Sequence, residues 1–473
     1  MKRIISLFLI VTITLGTLPA ITVNATESAG KRLDFMYMTN EELAQSVKDG
    51  TIPKDIVALY LYRGEISDLT PLAELTELQN LSLHDHRVVD LTPLAGLTKL
   101  QWLTLDDNLI TDITPLAGLT ELETLRLHSI KAGEIDSDGD DPIPVVKAPG
   151  KELGNQIVDI TPLAGLTKLK TLDLRGNLIS DITPLAGLDE LQELCLRNNK
   201  IKDISPLASM KSLGTRIIYE DEVIGMNPPF YAHVDLGRNQ ISDLTPLSEL
   251  TQLRNLHLSD NRISNLKPLS GLTNLQWLDL DKNQISDLKP LSKLTKLERL
   301  DLSRNKIVNI KPLVGLTNLQ ELKLTRNQVS DISILPKLKK LGKIHLEYNK
   351  ITDLKPLESM NLGNQGSTIP WLKGNPVSQA QINTLIHHWR VSAFFPSKDR
   401  AIFAVLEILK FIAGMDSVIN PNHAFFVQLG RAPAISDALE ILKFIAGIEH
   451  SMNGTSVLLM AMLAMPEYFY DFK

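Results

Sequence analysis

The sequence contains a single cysteine, Cys195, in 473 residues. One thiol cannot form a disulfide within the chain, so the fold must be stabilised by packing. This also argues against the disulfide-dense domains of many extracellular eukaryotic proteins. Positive charge is not in excess, since 49 Lys and Arg stand against 55 Asp and Glu and the net charge is −6. The chain therefore has no basic field for a nucleic acid partner or an anionic membrane.

The motifs of several common enzyme classes are also missing. The sequence has no nucleophile elbow, no HExxH zinc motif, no phosphate-binding loop and no CxxC pair. The only support for a hydrolase function would be carboxylates scattered along the sequence. We therefore expect a protein that is not an enzyme and that needs no metal or cofactor.

The N-terminus has the pattern of a targeting segment. Lys2 and Arg3 precede an apolar stretch over 4–18, and Val23 and Ala25 are the small residues that a signal peptidase requires. The stretch is short for a membrane span, although an uncleaved anchor is the alternative. We expect residues 1–25 to be a signal peptide and the mature chain to be secreted, without a transmembrane segment.

A repeat of 22 residues dominates the rest of the chain. Asparagines recur at this step at Asn239, Asn261, Asn283, Asn305, Asn327 and Asn349, and upstream at Asn155, Asn177 and Asn199. The unit reads LxxLxLxxNxIxxLxPLxxL. About twelve units occupy residues 56–362 and begin near Ile56, Leu78, Leu100, Leu122, Leu169, Leu191, Leu213, Leu253, Leu275, Leu297, Leu319 and Leu341. Such a repeat is typical of a solenoid, in which only stacked coils can bury the leucines.

Each part of the unit has an expected conformation. The apolar residues of LxL alternate at period two, which predicts a short strand with one buried face. The asparagine comes where the chain turns, and its amide can pair with buried backbone groups of its own coil and of a neighbouring one. The proline of segments such as 243–247 cannot donate to a strand ladder and suits the start of a short helical turn.

This repeat resembles the bacterial internalin-type leucine-rich-repeat family, whose units have the same length and the same Asn and Pro-Leu spacing. The resemblance covers roughly residues 35–390. It implies an α/β leucine-rich-repeat solenoid, with short parallel strands on a concave face and 3₁₀ or short helical turns on the convex face. It also implies a secreted or wall-attached protein that binds proteins through the concave face. No LPxTG-type sorting motif supports covalent wall attachment.

Caps are expected at both ends of the solenoid. An N-terminal helical cap over 26–55 has Thr39 or Asn40 at the start of its helix and acidic residues in the first turn. A C-terminal cap over 363–395 begins with the segment 372–376 and continues in a helix near 379–389.

Two inserts interrupt the repeat, over 129–154 and 213–230, and are expected to loop out on one face. The first insert carries the acidic run 136–141. Its oxygens could bind calcium, but we favour a solvated loop.

A second repeat lies beyond the solenoid, within residues 396–450. The amphipathic segment 406–414 recurs as 439–447, and each copy ends in glycine. The pair is similar to the duplicated half-module of dockerin domains, which bind cohesin modules, and so implies a cohesin-like partner. Only Asp437 matches a calcium ligand of the dockerin loop, so we expect a metal-free, small all-α module. Residues 451–473 follow as a tail.

The register of the repeat places candidate ligand-binding residues on the concave face. Trp, Tyr and Arg dominate binding hot spots, and Trp102 and Trp277 have no core to fill there. The alternative is that these indoles pack between neighbouring aromatic side chains. For the charged candidates the alternative is a solvated, ion-paired row. Cys195 falls on the same face, which would leave its thiol exposed. The set is Tyr60, Tyr62, His84, Trp102, Arg126, Arg175, Arg197, Trp277, Asp279, Arg299, Lys323 and Tyr348.

Two hypotheses for the function follow. The first is a secreted or surface-associated bacterial solenoid that recognises a protein ligand through its concave face. The mixed charge of that face favours a protein, while stacking of a carbohydrate on the tryptophans stays open. The alternative is an accessory component of an extracellular enzyme complex, recruited through the dockerin-like module.

Overall fold

The computed structural model describes residues 32–129, 154–215, 234–358, 360, 372–378, 380–382 and 385. Several predictions fall outside these residues and stay predictions. They concern the signal peptide 1–25, the dockerin-like pair 396–450, the tail 451–473, most of both inserts and most of the C-terminal cap.

The chain divides into two compact units, residues 1–305 and 306–473. The described residues of the first unit form eleven strands that pair in parallel in chain order: β1 (Arg32–Met36), β2 (Ala58–Tyr62), β3 (Asn80–His84), β4 (Trp102–Thr104), β5 (Thr124–Arg126), β6 (Thr171–Asp173), β7 (Glu193–Cys195), β8 (Val234–Asp235), β9 (Asn255–His257), β10 (Trp277–Asp279) and β11 (Arg299–Asp301). In the second unit, β12 (Glu321–Lys323) and β13 (Lys343–His345) pair in the same way.

The strands keep the register of the repeat. Leu103 of β4 lies opposite Leu125 of β5. Both inserts leave this register intact, because Leu125 lies opposite Leu172 across the first insert and Leu194 lies opposite Val234 across the second. Every described coil therefore presents the same sequence positions to its neighbours.

The leucine positions of the repeat form the core of the coils in each compact unit. In the coil that starts at Leu253, the side chains of Leu256, Leu258, Ile263 and Leu269 are all 0% exposed. Because each coil covers the apolar side of the next, burial of these side chains holds the stack together. The predicted leucine-rich-repeat solenoid is confirmed.

Short helical turns lie on the opposite side of the coils from the strands. Each turn has one proline within its first two positions. In most turns an Asp or Asn just before the turn accepts a hydrogen bond from a backbone N–H, as Asp243 does from Thr245 N–H at 2.9 Å. The 3₁₀ turns of the first unit are Thr70–Glu74, Thr92–Leu94, Thr114–Gly118, Thr161–Leu163, Thr183–Leu185, Ser205–Ser209, Thr245–Leu247, Lys267–Gly271 and Lys289–Lys293. Those of the second are Lys311–Gly315 and Leu335–Lys337, followed by the α-helical turn α2 (Lys355–Glu358).

The repeat asparagines close each coil with hydrogen bonds. Asn283 Nδ2 donates to the carbonyls of Leu258, Leu280 and Asp281 at 2.9, 3.2 and 3.2 Å. Its Oδ1 accepts from Ile263 N–H at 3.0 Å. One side chain thus satisfies four backbone groups, two in its own coil and two in the preceding coil.

The N-terminal cap differs from the prediction. Helix α1 (Asn40–Lys48) is present, with Thr39 as its N-cap and a reciprocal capping box with Glu42. However, the cap is not only helical, because β1 precedes α1 and pairs in parallel with β2. The chain alternates here as it does in the repeat, and Phe35 turns inward and is 3% exposed.

The C-terminal cap begins as another coil of the second unit. Leu372 is buried, and Asn375 donates to the Leu346 carbonyl at 2.7 Å and accepts from Ile351 N–H at 3.1 Å. Asn375 thus has the role of a repeat asparagine. Among the described residues, we find no helix with the length and apolar character that a membrane crossing requires.

Candidate binding face

The strand face is the side of each coil that points away from the leucine core. It consists of the outward side chains of the strands and of the three residues that follow each strand. In the first unit it runs from β1 to β11 and includes Arg32, Tyr60, Tyr62, His84, Trp102, Asp106, Arg126, His128, Asp173, Arg175, Cys195, Arg197, Asp235, His257, Trp277, Asp279, Arg299, Asp301 and Arg304.

Aromatic rings cover the N-terminal part of the strand face. The rings of Tyr60 and Tyr62 stack with centroids 6.3 Å apart, and the Arg32 guanidinium lies 4.3 Å from the Tyr60 centroid. Trp102 is 36% exposed, and its Nε1 donates to Thr104 Oγ1 at 3.0 Å. This hydrogen bond fixes the indole on the surface before any ligand arrives, which lowers the entropy cost of binding.

A buried charge cluster lies next to the aromatic rings. Nδ1 of His128 lies 3.0 Å from Asp106 Oδ1 and 3.7 Å from Asp173 Oδ2. Nε of Arg126 lies 3.2 Å from the other oxygen of Asp106. His128, Asp106 and Asp173 are 6%, 2% and 3% exposed. His128, from the coil that contains β5, therefore links the carboxylates of the two neighbouring coils.

The neighbouring charges set the pKa values in this cluster. Burial alone would lower the pKa of His128, but the charge and hydrogen bond of Asp106 outweigh it and the pKa is raised. Burial would likewise raise the pKa of Asp106, but His128 and Arg126 hold it well below its usual range. The ring centroid of the half-buried His84 lies 6.4 Å from that of His128. The pKa of His84 is lowered, chiefly by burial. The cluster therefore favours a charged His128 beside a neutral His84.

Three residues expected to be exposed on the strand face are buried instead. Arg175, Arg197 and Cys195 are each 8% exposed. Arg175 forms a bidentate ion pair with Asp173: its Nε donates to Oδ1 at 3.0 Å and its Nη2 donates to Oδ2 at 2.9 Å. Burial raises the pKa of the Cys195 thiol, which keeps it protonated. The prediction of exposure is wrong for these residues. For the two arginines the reason is that Asp173 and Asp235 hold the guanidinium groups against the sheet.

Arg197 shows how a small residue makes room for this burial. Its Nη1 donates to Ser259 Oγ at 3.3 Å and lies 4.0 Å from Asp235 Oδ1. A side chain at Gly237 would bring a Cβ within 2.7 Å of Nη1. The absence of a side chain there lets Arg197 reach two strands along the sheet.

A second aromatic site lies at β9–β11. The rings of the half-buried Trp277 and of His257 pack at 65° with centroids 4.4 Å apart, and the Arg299 guanidinium lies 5.5 Å from the indole centroid. Asp279 lies opposite Asp301 on the next strand. Burial and the charge of Asp279 raise the pKa of Asp301 to about 7.

The second unit carries two more of the candidates. Tyr348 is 41% exposed, with the Arg326 guanidinium 4.9 Å from its ring centroid. The Lys323 ammonium lies 3.5 Å from Glu321. Within the described part of the chain, no group of three or more His, Cys, Asp or Glu could hold a metal ion.

Comparison with known proteins agrees with the leucine-rich-repeat fold. The family described as leucine-rich repeats in two copies matches residues 152–187, 273–315 and 317–359. An internalin, InlF of Listeria monocytogenes, shares 30% identity over 70% of this chain and 85% of its own, with a TM-score of 0.57. The chain belongs to the internalin family. A leucine-rich-repeat protein of Leptospira interrogans has the same fold, with 24% identity, 75% and 88% coverage and a TM-score of 0.54. A search of curated proteins finds no match.

The repeat pattern predicts the aromatic residues of the strand face, but it does not by itself predict that Asp106, His128 and Asp173 form one charge cluster. Asp106 and His128 come two residues after β4 and β5, and Asp173 lies on β6 opposite Arg126. The signal was present, because acids and bases alternate between coils at these positions. Aligning adjacent repeats with one another shows that acidic and basic residues face each other across neighbouring coils.

Proposed function

We propose that this internalin-like chain is a secreted or surface-associated bacterial protein that binds a protein ligand through its strand face. The observation that carries the proposal is Trp102, a large apolar side chain that is 36% exposed and tied in place by Thr104. Indole, phenol and guanidinium groups are the groups that most often dominate protein interfaces.

The composition of the strand face also supports a protein ligand. Tyr60, Tyr62, Trp102 and Trp277 provide flat apolar surfaces, and charged groups of both signs lie between them. Leucine-rich-repeat solenoids are protein-binding domains, and an extended face of this kind can contact a partner over many coils. A sugar ring on one tryptophan would use only a small part of it.

The test is capture of ligands from extracellular and cell-wall fractions by the full chain. Trp102→Ala/Trp277→Ala should lose capture, because truncating central aromatic residues of an interface typically costs about 2 kcal/mol or more each. The matched control is Val158→Ala/Val308→Ala, which removes two exposed apolar side chains outside the strand face. Undiminished capture by the tryptophan variant would overturn the proposal, whereas capture of glycans alone would assign the face to carbohydrate.

A further inference from the structure

The described coils of the second unit carry an excess of positive charge. Residues 306–358 contain ten Lys and Arg but five Asp and Glu, whereas the whole chain has more acidic than basic residues. Two of these cations, together with Lys373, lie within two residues of a repeat asparagine, at the rim of the strand face. We call this group the basic edge. It consists of Arg326, Lys350 and Lys373, all of them exposed.

Tyr348 holds two cations of the basic edge around one exposed ring. The Arg326 guanidinium lies 4.9 Å from the ring centroid, and the Lys373 ammonium lies 6.0 Å from it. The ring packs against Gly374, where a Cβ would come within 2.4 Å of Cδ1. Tyr348 N–H donates to the Lys373 carbonyl at 2.7 Å. Arg326 and Lys373 are thus brought together from the coils on either side of Tyr348.

In the described part of the chain, the side chains of the basic edge contact neutral groups. Arg326 and Lys373 lie over the phenol ring, and Lys350 Nζ donates to Gln328 Oε1 at 3.1 Å. A ring face and an amide oxygen attract a cation but do not cancel its charge. The basic edge therefore keeps its positive charge in the unbound protein.

The acid next to Tyr348 is bound by other groups. Glu347 Oε2 accepts from Thr325 Oγ1 at 2.6 Å, and its Oε1 lies 3.5 Å from His345 Nδ1. Both of its oxygens therefore have partners outside the basic edge.

Cations at the equivalent position of the first unit do have carboxylate partners. Lys282 and Arg304, like Arg326, directly precede a repeat asparagine. Lys282 Nζ lies 2.7 Å from Asp260, and Arg304 donates through two nitrogens to Asp281. The repeat can thus supply a neutralising acid at this position, and around Arg326 it supplies a tyrosine instead.

We propose that the basic edge, with Tyr348, is the docking surface for an acidic segment of the protein ligand. Arg326 and Lys373 would donate to carboxylates of that segment, and Lys350 would add a third positive charge. Charge complementarity selects this occupant. The inference rests on the proposed function and specifies the chemistry of the partner.

The size of the basic edge favours a short acidic segment over a long polyanion. Arg326 and Lys373 belong to coils two steps apart, which is about 10 Å by the strand spacing and about three residues of an extended peptide. A nucleic acid that continued along the chain would meet a molecule of net charge −6.

The test is binding of fluorescein-labelled pentaglutamate to the full chain, measured by fluorescence anisotropy at neutral pH and low salt, where exposed charges are weakly screened. Arg326→Gln/Lys373→Gln should weaken this binding by about tenfold, because two exposed ion pairs are lost together. Thermal melts should show the variant folded, since both side chains are exposed.

A charge-matched control separates docking from net attraction. Lys337→Gln/Lys355→Gln removes the same two charges from exposed positions in the helical turns of the same unit. This control should bind pentaglutamate within twofold of the wild type. A labelled thymidine pentanucleotide serves as the competing polyanion and should bind more weakly than pentaglutamate.

Four results would overturn the inference: no pentaglutamate binding, equal binding by Arg326→Gln/Lys373→Gln, equal loss in the charge-matched control, or tighter binding of the oligonucleotide. If Trp102→Ala/Trp277→Ala still abolishes capture of natural ligands in that case, the proposed function stands and only the partner chemistry is wrong. If the tryptophan variant captures ligands normally, the proposed function itself fails.

Discussion

The asparagine after each strand makes hydrogen bonds within its own coil and to the coil before it. Asn108, Asn177, Asn239 and Asn283 all show this arrangement. In the first coils of the repeat His86 occupies the equivalent position, and its Nδ1 accepts from Ile66 N–H at 3.4 Å. His86 thus makes one of these contacts with a different side chain, whereas Gly64 at the equivalent position of the coil before it has no side chain to do so.

Removing one of these amides should destabilise the stack. Asn283→Ala leaves a buried N–H and three carbonyls without their side-chain partner, which should lower the free energy of unfolding by about 3 kcal/mol. Urea unfolding followed by circular dichroism measures this. The neighbouring exposed Gln284→Ala serves as the control and should be near neutral; similar midpoints for both variants would contradict the role of the amide.

The residue before most repeat asparagines has a left-handed backbone, and one of these positions requires glycine. Gly176 has φ +74°, and a Cβ there would lie 1.7 Å from the Ser129 carbonyl oxygen. Gly176→Ala should therefore lower the unfolding free energy by about 2–3 kcal/mol. Arg63 has φ 53° at the equivalent position of its coil, and Arg63→Gly should be neutral or stabilising by up to about 1 kcal/mol. A thermal melt that ranked the two variants in the opposite order would exclude this explanation.

At the scale of elements, the strands and turns could be predicted because the 22-residue pattern repeats their apolar spacing. β1 could not, since it precedes the first repeat and has no asparagine after it. The burial of Arg175 and Cys195 also escaped prediction, because it depends on side chains of adjacent strands. The position of Arg197 depends on Gly237, which is 40 residues away in the sequence but near in space. The 22-residue pattern predicts on which face of the coil a residue lies, whereas the side chains of the adjacent coils determine how exposed it is.

The charge cluster that joins β4, β5 and β6 should make stability depend on pH. The pKa of His128 is raised above 6.5 in the folded chain, so its contribution is fully present below pH 6.5 and is lost as the pH rises through the folded value. The difference in Tm between wild type and His128→Gln should therefore be largest near pH 5.5 and smaller at pH 9.

His84 provides a control with the opposite sign. Its pKa is lowered in the folded chain, so below pH 6.5 the unfolded chain binds a proton more readily and wild type loses stability. His84→Gln should become relatively more stable than wild type as the pH falls. Parallel pH profiles for the two variants would show that the cluster does not act as described.

At the scale of the whole molecule, stacked coils provide both stability and a surface for recognition. The leucines form the buried core on one side of each coil. Side chains of the strand face are therefore not needed for packing the core and can serve binding instead. From Tyr60 to Arg299 the candidate residues lie on strands of the first unit, except Arg175 and Arg197, which come two residues after β6 and β7. In the second unit Lys323 lies on β12 and Tyr348 comes three residues after β13.

Hydroxyl-radical footprinting of the full chain with a captured ligand tests the binding claim most directly. Mass spectrometry would compare side-chain oxidation in the free and bound protein. The account predicts protection of Trp102 and Trp277, with Val158 and Val308 as reactive as before, since these valines are exposed outside the strand face. Protection of the valines with both tryptophans still reactive would contradict it.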